Sequence, residues 1–441
     1  MDCEIIAIGT ELTLGMTVNT NAAWLSRELL PIGVRTRAHL SVPDDLGQMM
    51  RAITDATART PLVIVTGGLG PTADDYTREA VQAAMGVTWQ TDVEEREAFR
   101  KRWEQRTGRE LPATSLGQFE LPVGANKLRN RTGVALGFLL PHTRCTGGTG
   151  GWLAVLPGVP TEAMTMAREE LMPLLRERIP ASDAVGLREL LCCGMIEARI
   201  DELCRDLLEP GRDPAGSITL QEASGAIALR FTTRGGDATK RLDAVEAEVR
   251  RRLGRAVYSA SGASGTSGPS GTAGPSGGGE TVADALVRLL AKHSLTIGLA
   301  ESCTGGLATH FVSRVPGVSE WLMQSVVSYS DRAKIERLGV PAAMISEHGA
   351  VSEDVARAMA EGICATGHVD LGIGITGIAG PGGGSDAKPV GLVWFGISLR
   401  GRTVAHKRII PGDRQVVQQR AAWHSLVLAR EHLLDVLEPG E

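Results

Sequence analysis

The amino-acid sequence predicts an α/β protein with several domains, and three observations support this. Apolar segments typical of buried strands, such as CEIIAIG and LVIVTGG, alternate with segments of helical periodicity. The length of 441 residues exceeds what one hydrophobic core usually organises, because domains hold about 100 to 200 residues. Residues 261–279 consist of Gly, Ser, Thr, Ala and Pro, so they cannot form a core and they divide the chain.

Residues 1–178 show strands and helices in the order βαβαβ. Helices are predicted from Thr20 to Leu30 and from Leu46 to Ala58, between CEIIAIG, VRTRAHLSV and LVIVTGG. A polar helical stretch from Val93 to Arg106 follows, and WLAVLPGVP with a helix from Thr161 to Arg176 completes the domain. This order predicts a largely parallel, doubly wound sheet.

Residues 179–258 predict a small α+β module. Its strands are LRELLCCG and AIALRFTT, and its helices run from Ala198 to Leu208 and from Lys240 to Leu253. Residues 259–280 predict a flexible linker, because Gly- and Ser-rich chains behave as random coils. We therefore expect the domains on either side of it to move independently.

Residues 281–441 return to alternating strands and helices and predict an α/β sandwich. The strands are LTIGLAE, SVVSYS, DLGIGITG, GLVWFGISL and VAHKRII. The helices run from Val282 to Lys292, from Leu307 to Arg314, from Ser352 to Ala365 and from Arg414 to about Val436.

The charge balance favours small-molecule partners. With 46 basic and 51 acidic residues, for a net charge of -5, the chain lacks the broad basic field of a nucleic-acid-binding protein. The N-terminus has neither the basic region of a signal peptide nor the length of a membrane span. Seven scattered cysteines are typical of a reducing compartment. We expect a cytoplasmic protein that binds neither nucleic acid nor membranes.

The strand LTIGLAE runs into a turn that carries polar and glycine residues, ESCTGG. Ligands of open α/β sheets bind at the carboxyl ends of the strands. Gly305 and Gly306 would let the backbone approach a ligand closely, and free N–H groups in the first turn of the next helix could hold an anion or oxyanion.

Ser302 in this turn is a candidate nucleophile that needs a base. No Gly-x-Ser-x-Gly elbow with ordered Asp and His partners is evident. Lys334 follows a strand and opens a helix, but a lysine base must be neutral and hence desolvated or near another cation. The structural alternative is that Ser302 caps a helix and Lys334 is solvated, which is commoner for isolated residues of these types.

Cys303 is a rival nucleophile, because a thiol at a helix N-terminus has a lowered pKa. Its structural alternative is a small, buried packing residue. Successive residues at a strand end point to opposite faces, so we expect only one of Ser302 and Cys303 to face a substrate.

The strand LVIVTGG runs into GLGPTADDYTREA, where glycines permit a tight turn and the next helix offers N–H groups to a phosphate. Asp74 and Asp75 could hold a divalent cation. Equally, acidic residues in a first helical turn favour the helix dipole, and Gly-rich turns are common after parallel strands.

Beyond these local signals, residues 281–436 resemble the C-terminal domain of the CinA (competence/damage-inducible) family, the nicotinamide mononucleotide deamidase domain. The resemblance lies in LAESCTGG, VVSYSDRAK, GAVSEDVA, GITGIAGPGGG and VGLVWFGI. It implies that Ser302 attacks the carboxamide and Lys334 acts as general base, so that ammonia leaves and water releases nicotinic acid mononucleotide. No cofactor is implied for this reaction.

The resemblance also implies further residues at this site. Tyr329 is expected beside the catalytic pair, and Arg414 is expected to bind phosphate or developing charge, with Arg420 as its competitor. The remaining residues expected to bind substrate are Thr304, Gly305, Gly306, Thr376, Gly377 and Gly380, the last in a turn with Pro381.

Residues 1–176 resemble the N-terminal domain of the same family, which is akin to the molybdopterin-binding MoaB and MogA proteins. The motifs are IIAIGTELTLGMTVNTNAAWLSREL, VTGGLGPTADDYTREA and VLPGVPTEA. The resemblance implies a metal-dependent ADP-ribose pyrophosphatase, with a divalent metal near Asp75. The residues expected to bind that substrate are Asn21, Gly67, Gly68, Gly70, Thr72, Pro157 and Gly158.

Two other functions are compatible with this resemblance. The N-terminal domain would be a molybdopterin-type binding module, or the protein would be an accessory factor in competence or DNA damage. Residues 185–258 resemble the small KH-like module of the family, but they contain no GxxG loop of the RNA-binding kind. A homodimer is expected from the resemblance.

Overall fold

The computed structural model describes residues 1–72, 74–145, 150–180, 184–221, 225–262 and 280–439. It confirms a mixed α/β fold with three larger sheets and a small two-stranded ribbon. The chain forms two compact units: one contains residues 1–186, and the other contains most of the remaining chain.

The first unit is built on a six-stranded sheet. Its strands β1, β2, β3 and β8 are parallel to one another, whereas β7 pairs antiparallel with β8 and β6 pairs antiparallel with β7 at the edge. The strands are β1 (Asp2–Ile8), β2 (Arg35–Val42), β3 (Leu62–Thr66), β6 (Asn126–Leu128), β7 (Gly137–His142) and β8 (Gly151–Leu156), while β4 (Trp89–Thr91) and β5 (Glu120–Pro122) form the ribbon.

Helices cover both faces of this sheet. Successive residues of β1 alternate between two hydrophobic clusters, with Ile5 in one and Ile6 in the other, as expected for a strand buried on both faces. The predicted doubly wound arrangement is therefore confirmed. The helices are α1 (Thr10–Thr13), α2 (Thr20–Leu29), α3 (Leu46–Arg59), α4 (Thr77–Met85), α5 (Val93–Thr107), α6 (Pro160–Met166) and α7 (Met172–Arg176).

The small module is a four-stranded sheet in the order β10-β11-β9-β12, with two helices. Its elements are β9 (Val185–Cys192), α8 (Glu197–Leu208), β10 (Ala215–Gln221), β11 (Ala226–Arg234), α9 (Ala238–Leu253) and β12 (Val257–Gly262). Because β12 extends to Gly262, the first four residues of the predicted linker, 259–262, belong to a strand. Residues 263–279 lie outside the described part of the chain.

The module and the C-terminal domain share a hydrophobic core. Leu191 and Tyr258 of the module are buried in the same cluster as Leu286 and Leu426 of the C-terminal domain. The side chain of Arg430 also donates a 2.9 Å hydrogen bond to the backbone carbonyl of Arg255. The expectation of independent movement across the linker is therefore wrong for these two parts, since separating them would expose this apolar surface.

The C-terminal domain has a five-stranded sheet in the order β14-β13-β15-β16-β17. The first three strands of that order are parallel to one another, whereas β16 pairs antiparallel with β15 and β17 pairs antiparallel with β16. The strands are β13 (Ile297–Glu301), β14 (Leu322–Val327), β15 (Leu371–Gly377), β16 (Leu392–Leu399) and β17 (Arg402–Ile409).

Helices lie on both faces of this sheet too, which confirms the predicted sandwich. Helices α10, α11 and α15 contribute to one core, and α12, α13 and α14 contribute to the other. Their bounds are α10 (Val282–His293), α11 (Leu307–Ser313), α12 (Asp331–Leu338), α13 (Ala342–His348), α14 (Glu353–Gly367) and α15 (Arg414–Leu437). Of the helices in the described residues, none combines the length and the apolar character needed to cross a membrane.

Candidate active site

Three parallel strands end at the same edge of the C-terminal sheet and bring the predicted residues together. In the register of the sheet, Glu301 at the end of β13 pairs with Val327 of β14 and Ile375 of β15. The residues that follow, Ser302 and Ser328, therefore lie side by side at the carboxyl edge, where ligands of such sheets bind.

Lys334 contacts Ser302 at this edge. Its Nζ atom lies 3.2 Å from the Oγ atom of Ser302. Helix α12 begins just after β14, capped by the side chain of Ser330, so Lys334 in its first turn points back towards the strand ends. The side chain of Lys334 is 1% exposed and Ser302 is 8% exposed. Lys334 therefore has the desolvated surroundings that the sequence analysis required of a lysine base.

The surroundings of Lys334 favour a neutral amine. Burial lowers the pKa of Lys334 from its ordinary value of 10.5, an effect that outweighs the Asp331 carboxylate. Besides Ser302, Lys334 Nζ donates to the backbone carbonyls of Ser328 at 3.0 Å and Tyr329 at 3.5 Å. A carbonyl accepts only, whereas a hydroxyl can donate. In the neutral amine two hydrogens satisfy the two carbonyls, and the lone pair is left for the Ser302 hydroxyl.

Cys303 has the environment of a packing residue. It is 5% exposed, and burial raises the pKa of its thiol to about 12. Its backbone carbonyl accepts a 2.8 Å hydrogen bond from the side chain of Gln418 in α15. A Cβ atom on Gly377 would come within 3.0 Å of the Cys303 sulfur. The thiol is therefore protonated at neutral pH and packed against β15.

Glu301 is a buried residue of the turn whose role the sequence did not reveal. Its side chain is fully buried, and its carboxylate accepts hydrogen bonds from the backbone N–H groups of Gly306, Ala308 and Thr309 at 3.0, 3.1 and 2.8 Å. The hydroxyls of Thr304 and Thr309 also donate to it, each at 2.6 Å.

The Glu301 contacts correct one prediction. The N–H groups at the start of α11 were expected to be free to hold an anion or oxyanion, but the Glu301 carboxylate occupies them. Gly305 and Gly306 adopt positive φ angles of 64° and 103°, which lets the turn fold back over that carboxylate. Within the described structure, neither the backbone N–H of Thr304 nor that of Ser302 has an acceptor, and the Thr304 N–H is one candidate donor to a ligand.

Arg414, rather than Arg420, contacts the predicted site residues. The Arg414 guanidinium donates to the hydroxyl of Tyr329 at 2.6 Å and to the carbonyl of Gly380 at 2.8 Å. Tyr329 is 58% exposed, so its ring is open to a ligand. Arg420 lies further along α15, near enough to His424 to help lower the pKa of that imidazole, which burial brings to about 4.

Thr376 lies at the same sheet edge, but its hydroxyl is already used. It is 1% exposed, and its Oγ1 atom donates a 2.7 Å hydrogen bond to the carbonyl of Ala350. The contact anchors the segment before α14 to β15. The Thr376 hydroxyl therefore has a structural role. It could bind a substrate only if its hydrogen bond to Ala350 broke.

In the N-terminal unit, the turn after β3 has the expected close approach of backbones. Gly67 has a φ of 106°, and a Cβ atom there would lie 2.3 Å from the carbonyl oxygen of Ile8. A Cβ atom on Gly158 would meet Gly67 at 3.2 Å. Gly67 and Gly158, predicted to bind the same substrate, thus pack directly against each other.

Asn21 has an unused acceptor beside this turn. Its side-chain N–H donates to the carbonyl of Gly158 at 2.8 Å, whereas its buried Oδ1 atom has no hydrogen-bond partner among the described residues. Buried polar atoms without partners are uncommon. The neighbouring Pro157 is buried and Gly158 is exposed, so the β8 end of the site is open at Gly158.

Asp75 closes the loop that was expected to bind a metal. Its carboxylate accepts from the backbone N–H groups of Gly70 at 2.9 Å and Thr72 at 2.8 Å, and from the Thr72 hydroxyl. Asp74 is exposed and accepts from the same hydroxyl. The described residues contain no group of three or more His, Cys, Asp and Glu side chains that could hold a metal ion. A metal at Asp74 and Asp75 stays a prediction.

Comparisons with known proteins agree with this layout. Residues 279–433 match the family described as "CinA C-terminal domain", and residues 4–177 match "Probable molybdopterin binding domain". A CinA-like protein of Gemmatimonas aurantiaca is 37% identical over 96% of this chain and 94% of its own length. The chain belongs to the CinA family.

Two further comparisons describe other members. A CinA-like protein of Anaeromyxobacter dehalogenans is 35% identical over 98% of this chain and 99% of its own length. The crystal structure of a competence-damaged protein (CinA) superfamily member from Klebsiella pneumoniae is 32% identical, covers 35% of this chain and 96% of that chain, and has a TM-score of 0.34.

Proposed function

We propose that the C-terminal domain of this CinA-family protein hydrolyses the carboxamide of nicotinamide mononucleotide to nicotinic acid mononucleotide and ammonia. The observation that carries the proposal is the 3.2 Å approach of Lys334 Nζ to Ser302 Oγ, in surroundings that lower the lysine pKa. A serine hydroxyl becomes a useful nucleophile only when a neighbouring base takes its proton.

The reaction would proceed in two halves. Neutral Lys334 takes the Ser302 proton as Oγ bonds to the carboxamide carbon, and the resulting lysine ammonium returns that proton to the nitrogen, which leaves as ammonia. Lys334 then takes a proton from water as the water attacks the ester, the ester C–O bond breaks, and Ser302 regains its proton. The Thr304 N–H is suited to donate to the oxyanion in both halves.

Tyr329 and Arg414 support a phosphorylated substrate. Arg414 has an exposed guanidinium held by Tyr329 and Gly380, and an arginine fork matches phosphate geometry. The exposed Tyr329 ring, beside the carbonyls that hold Lys334, offers a face to a pyridine ring. We infer that nicotinamide lies over Tyr329 with its phosphate towards Arg414.

The direct test is to incubate the purified protein with nicotinamide mononucleotide and to measure ammonia and the product mass. Ser302→Ala should abolish release, while Cys303→Ala, its neighbour in the same turn, should retain it. Loss of activity in Cys303→Ala with retention in Ser302→Ala would reverse the assignment. No turnover by the unaltered protein would refute the proposed reaction.

For the N-terminal domain we propose metal-dependent hydrolysis of ADP-ribose. The observation in its favour is the buried, unpartnered Oδ1 atom of Asn21, which lies beside the Gly67 and Gly158 backbones. A ligand hydroxyl would supply the missing donor. Incubation with ADP-ribose and a divalent cation should give AMP and ribose phosphate, and Asn21→Ala should slow this.

The alternative is that this domain binds a molybdopterin-type ligand without turning it over. The family match to a molybdopterin-binding domain favours a binding function for residues 4–177. Tight binding of ADP-ribose without products would favour a binding module over an enzyme. A role as a competence or damage accessory factor would be favoured if neither domain turned over its substrate.

A further inference from the structure

A large cavity in the N-terminal unit is lined by none of the residues predicted to bind substrate. It has a volume of about 740 Å³ and lies between helix α5 and the segment from Arg129 to Gly133. Pockets of roughly 300 to 1,000 Å³ are typical of sites for cofactor-sized ligands. The cavity is therefore large enough for one nucleotide.

The lining of this cavity is predominantly basic. Arg102, Arg106, Arg129 and Arg131 line it, against two glutamates, Glu94 and Glu95. Glu95 is shared, since both Arg102 and Arg129 approach its carboxylate, at 3.7 and 3.4 Å. Lys127, which does not line the cavity, approaches it as well, at 3.8 Å.

Arg106 is the least neutralised of these cations. Within the described residues, no carboxylate oxygen is recorded within ion-pair distance of it, and its guanidinium lies 5.7 Å from the centre of the Trp103 ring. By contrast, Arg131 pairs with Glu169 and Glu170. An arginine held over an aromatic ring is well placed to bind a phosphate group at its edge.

Two aromatic rings form one side of the cavity. Phe99 and Trp103 stack with ring centres 6.2 Å apart and an interplanar angle of 29°, one helical turn apart on α5. Both rings are only partly buried. The indole Nε1–H group of Trp103 is buried and has no acceptor in the described structure. These are the features of a platform on which a flat heteroaromatic ring stacks.

We propose that this cavity binds a free nucleotide. Its base packs on the exposed part of the Phe99–Trp103 ring pair, and its phosphates are held by Arg106 with Arg102 and Arg129. Stacking alone would accept any flat ring, and the arginines alone would accept any phosphate. The combination selects a molecule that carries both. The site is separate from the Gly67–Thr72 turn and from Ser302, so the proposal goes beyond both proposed reactions.

The alternative is that α5 is a solvated surface helix whose arginines only pair with its glutamates. Arg100 does so, with Glu97 and Glu104, but it does not line the cavity. The two interpretations differ in one respect. Only a binding site requires Trp103 and the cavity arginines to contact the same ligand.

The test is calorimetric titration of the full chain with ADP, with adenosine and inorganic pyrophosphate as partial ligands. We expect ADP to bind more tightly than either. Arg106→Gln should weaken ADP binding at least about tenfold, as expected for the loss of a charge-assisted contact, without changing adenosine binding. Trp103→Ala should weaken both ADP and adenosine.

Lys101→Ala is the matched control, because Lys101 is an exposed cation of the same helix that does not line the cavity. It should leave ADP binding unchanged. The proposal would be overturned if Lys101→Ala and Arg106→Gln weakened ADP binding equally. It would also be overturned if ADP did not bind, whether or not single-stranded RNA bound tightly. Deamidation by these variants should match that of the unaltered protein, so failure here is distinguishable from failure of the proposed reaction.

Discussion

Lys334 and Ser302 are 32 positions apart in the chain, yet their side chains meet at 3.2 Å. The parallel pairing of β13 with β14 explains this, because it places the residues after both strands at one edge of the sheet. The contact is buried, so water does not compete for either group. Burial lowers the pKa of the Lys334 amine and so favours its neutral form.

Lys334→Met should remove the proposed base while keeping a buried side chain of similar length. General base catalysis contributes about 10²- to 10⁴-fold to rates, so we expect a loss of at least that size in ammonia release. Two carbonyls lose a donor, and a lower denaturation midpoint is expected as well. Lys407→Met is the control, because Lys407 is exposed on β17 over the Trp394 ring. Equal rates in the Lys334 and Lys407 variants would contradict the proposed role.

The rate of deamidation should rise with pH to a plateau. Only neutral Lys334 can accept the serine proton, so the active fraction grows as pH rises through the lysine pKa. Because burial lowers that pKa, the midpoint should lie below 10.5, the ordinary value for lysine. The measurement is kcat/KM against pH. A midpoint at or above the ordinary value would show that Lys334 is solvated in the working enzyme.

The strand-turn-helix patterns around Ser302 and Lys334 could be predicted from the sequence because each residue follows an apolar strand, whereas their reaction as nucleophile and base was implied only by the family resemblance. Most helix bounds were also accurate to within about two residues; α5, for example, was predicted to end at Arg106 and ends at Thr107. Such patterns are local, since they depend on the periodicity of neighbouring side chains.

The role of Glu301 could not be predicted, because an acidic residue after a strand has many possible partners. Its function depends on how the turn folds back, which two positive φ angles allow. The cavity beside α5 could not be predicted from the sequence for a similar reason. The aromatic and basic residues of α5 are visible in the sequence, but Arg129 and Arg131 join them only through the tertiary fold. The buried core shared by β12 and α15 also depends on tertiary packing. It could not be predicted from the Gly-rich composition of the segment that follows β12.

Glu301→Ala should destabilise the C-terminal domain strongly. The substitution leaves three backbone N–H groups at the start of α11 without their acceptor, and each buried unsatisfied donor costs about 1 to 3 kcal/mol. We expect a loss of at least about 3 kcal/mol in the free energy of unfolding, measured by urea denaturation. Glu320→Ala, an exposed glutamate of the same domain, should change it by less than about 0.5 kcal/mol. Similar midpoints for both variants would show that water replaces the carboxylate.

Cys303 should resist alkylation. With its thiol buried and its pKa raised to about 12, almost none is thiolate at neutral pH, and the thiolate is the reactive form. Treatment of the native protein with iodoacetamide, followed by peptide mapping, should leave Cys303 unmodified and activity intact. Denaturation before treatment is the control, and it should expose the residue. If native Cys303 were modified and activity fell in parallel, the result would support Cys303 as the nucleophile.

The variants Arg414→Ala and Arg420→Ala should show which of the two arginines binds the phosphate of the substrate. Arg414 holds the Tyr329 hydroxyl and the Gly380 carbonyl, so its loss removes a cation and frees the ring. A hydrogen bond to a charged group contributes about 1.5 to 3 kcal/mol, which corresponds to a loss of at least about tenfold in kcat/KM for nicotinamide mononucleotide. Nicotinamide riboside, which lacks the phosphate, should lose much less. If Arg420→Ala instead caused the phosphate-dependent loss, the substrate would have to extend along α15, away from Tyr329.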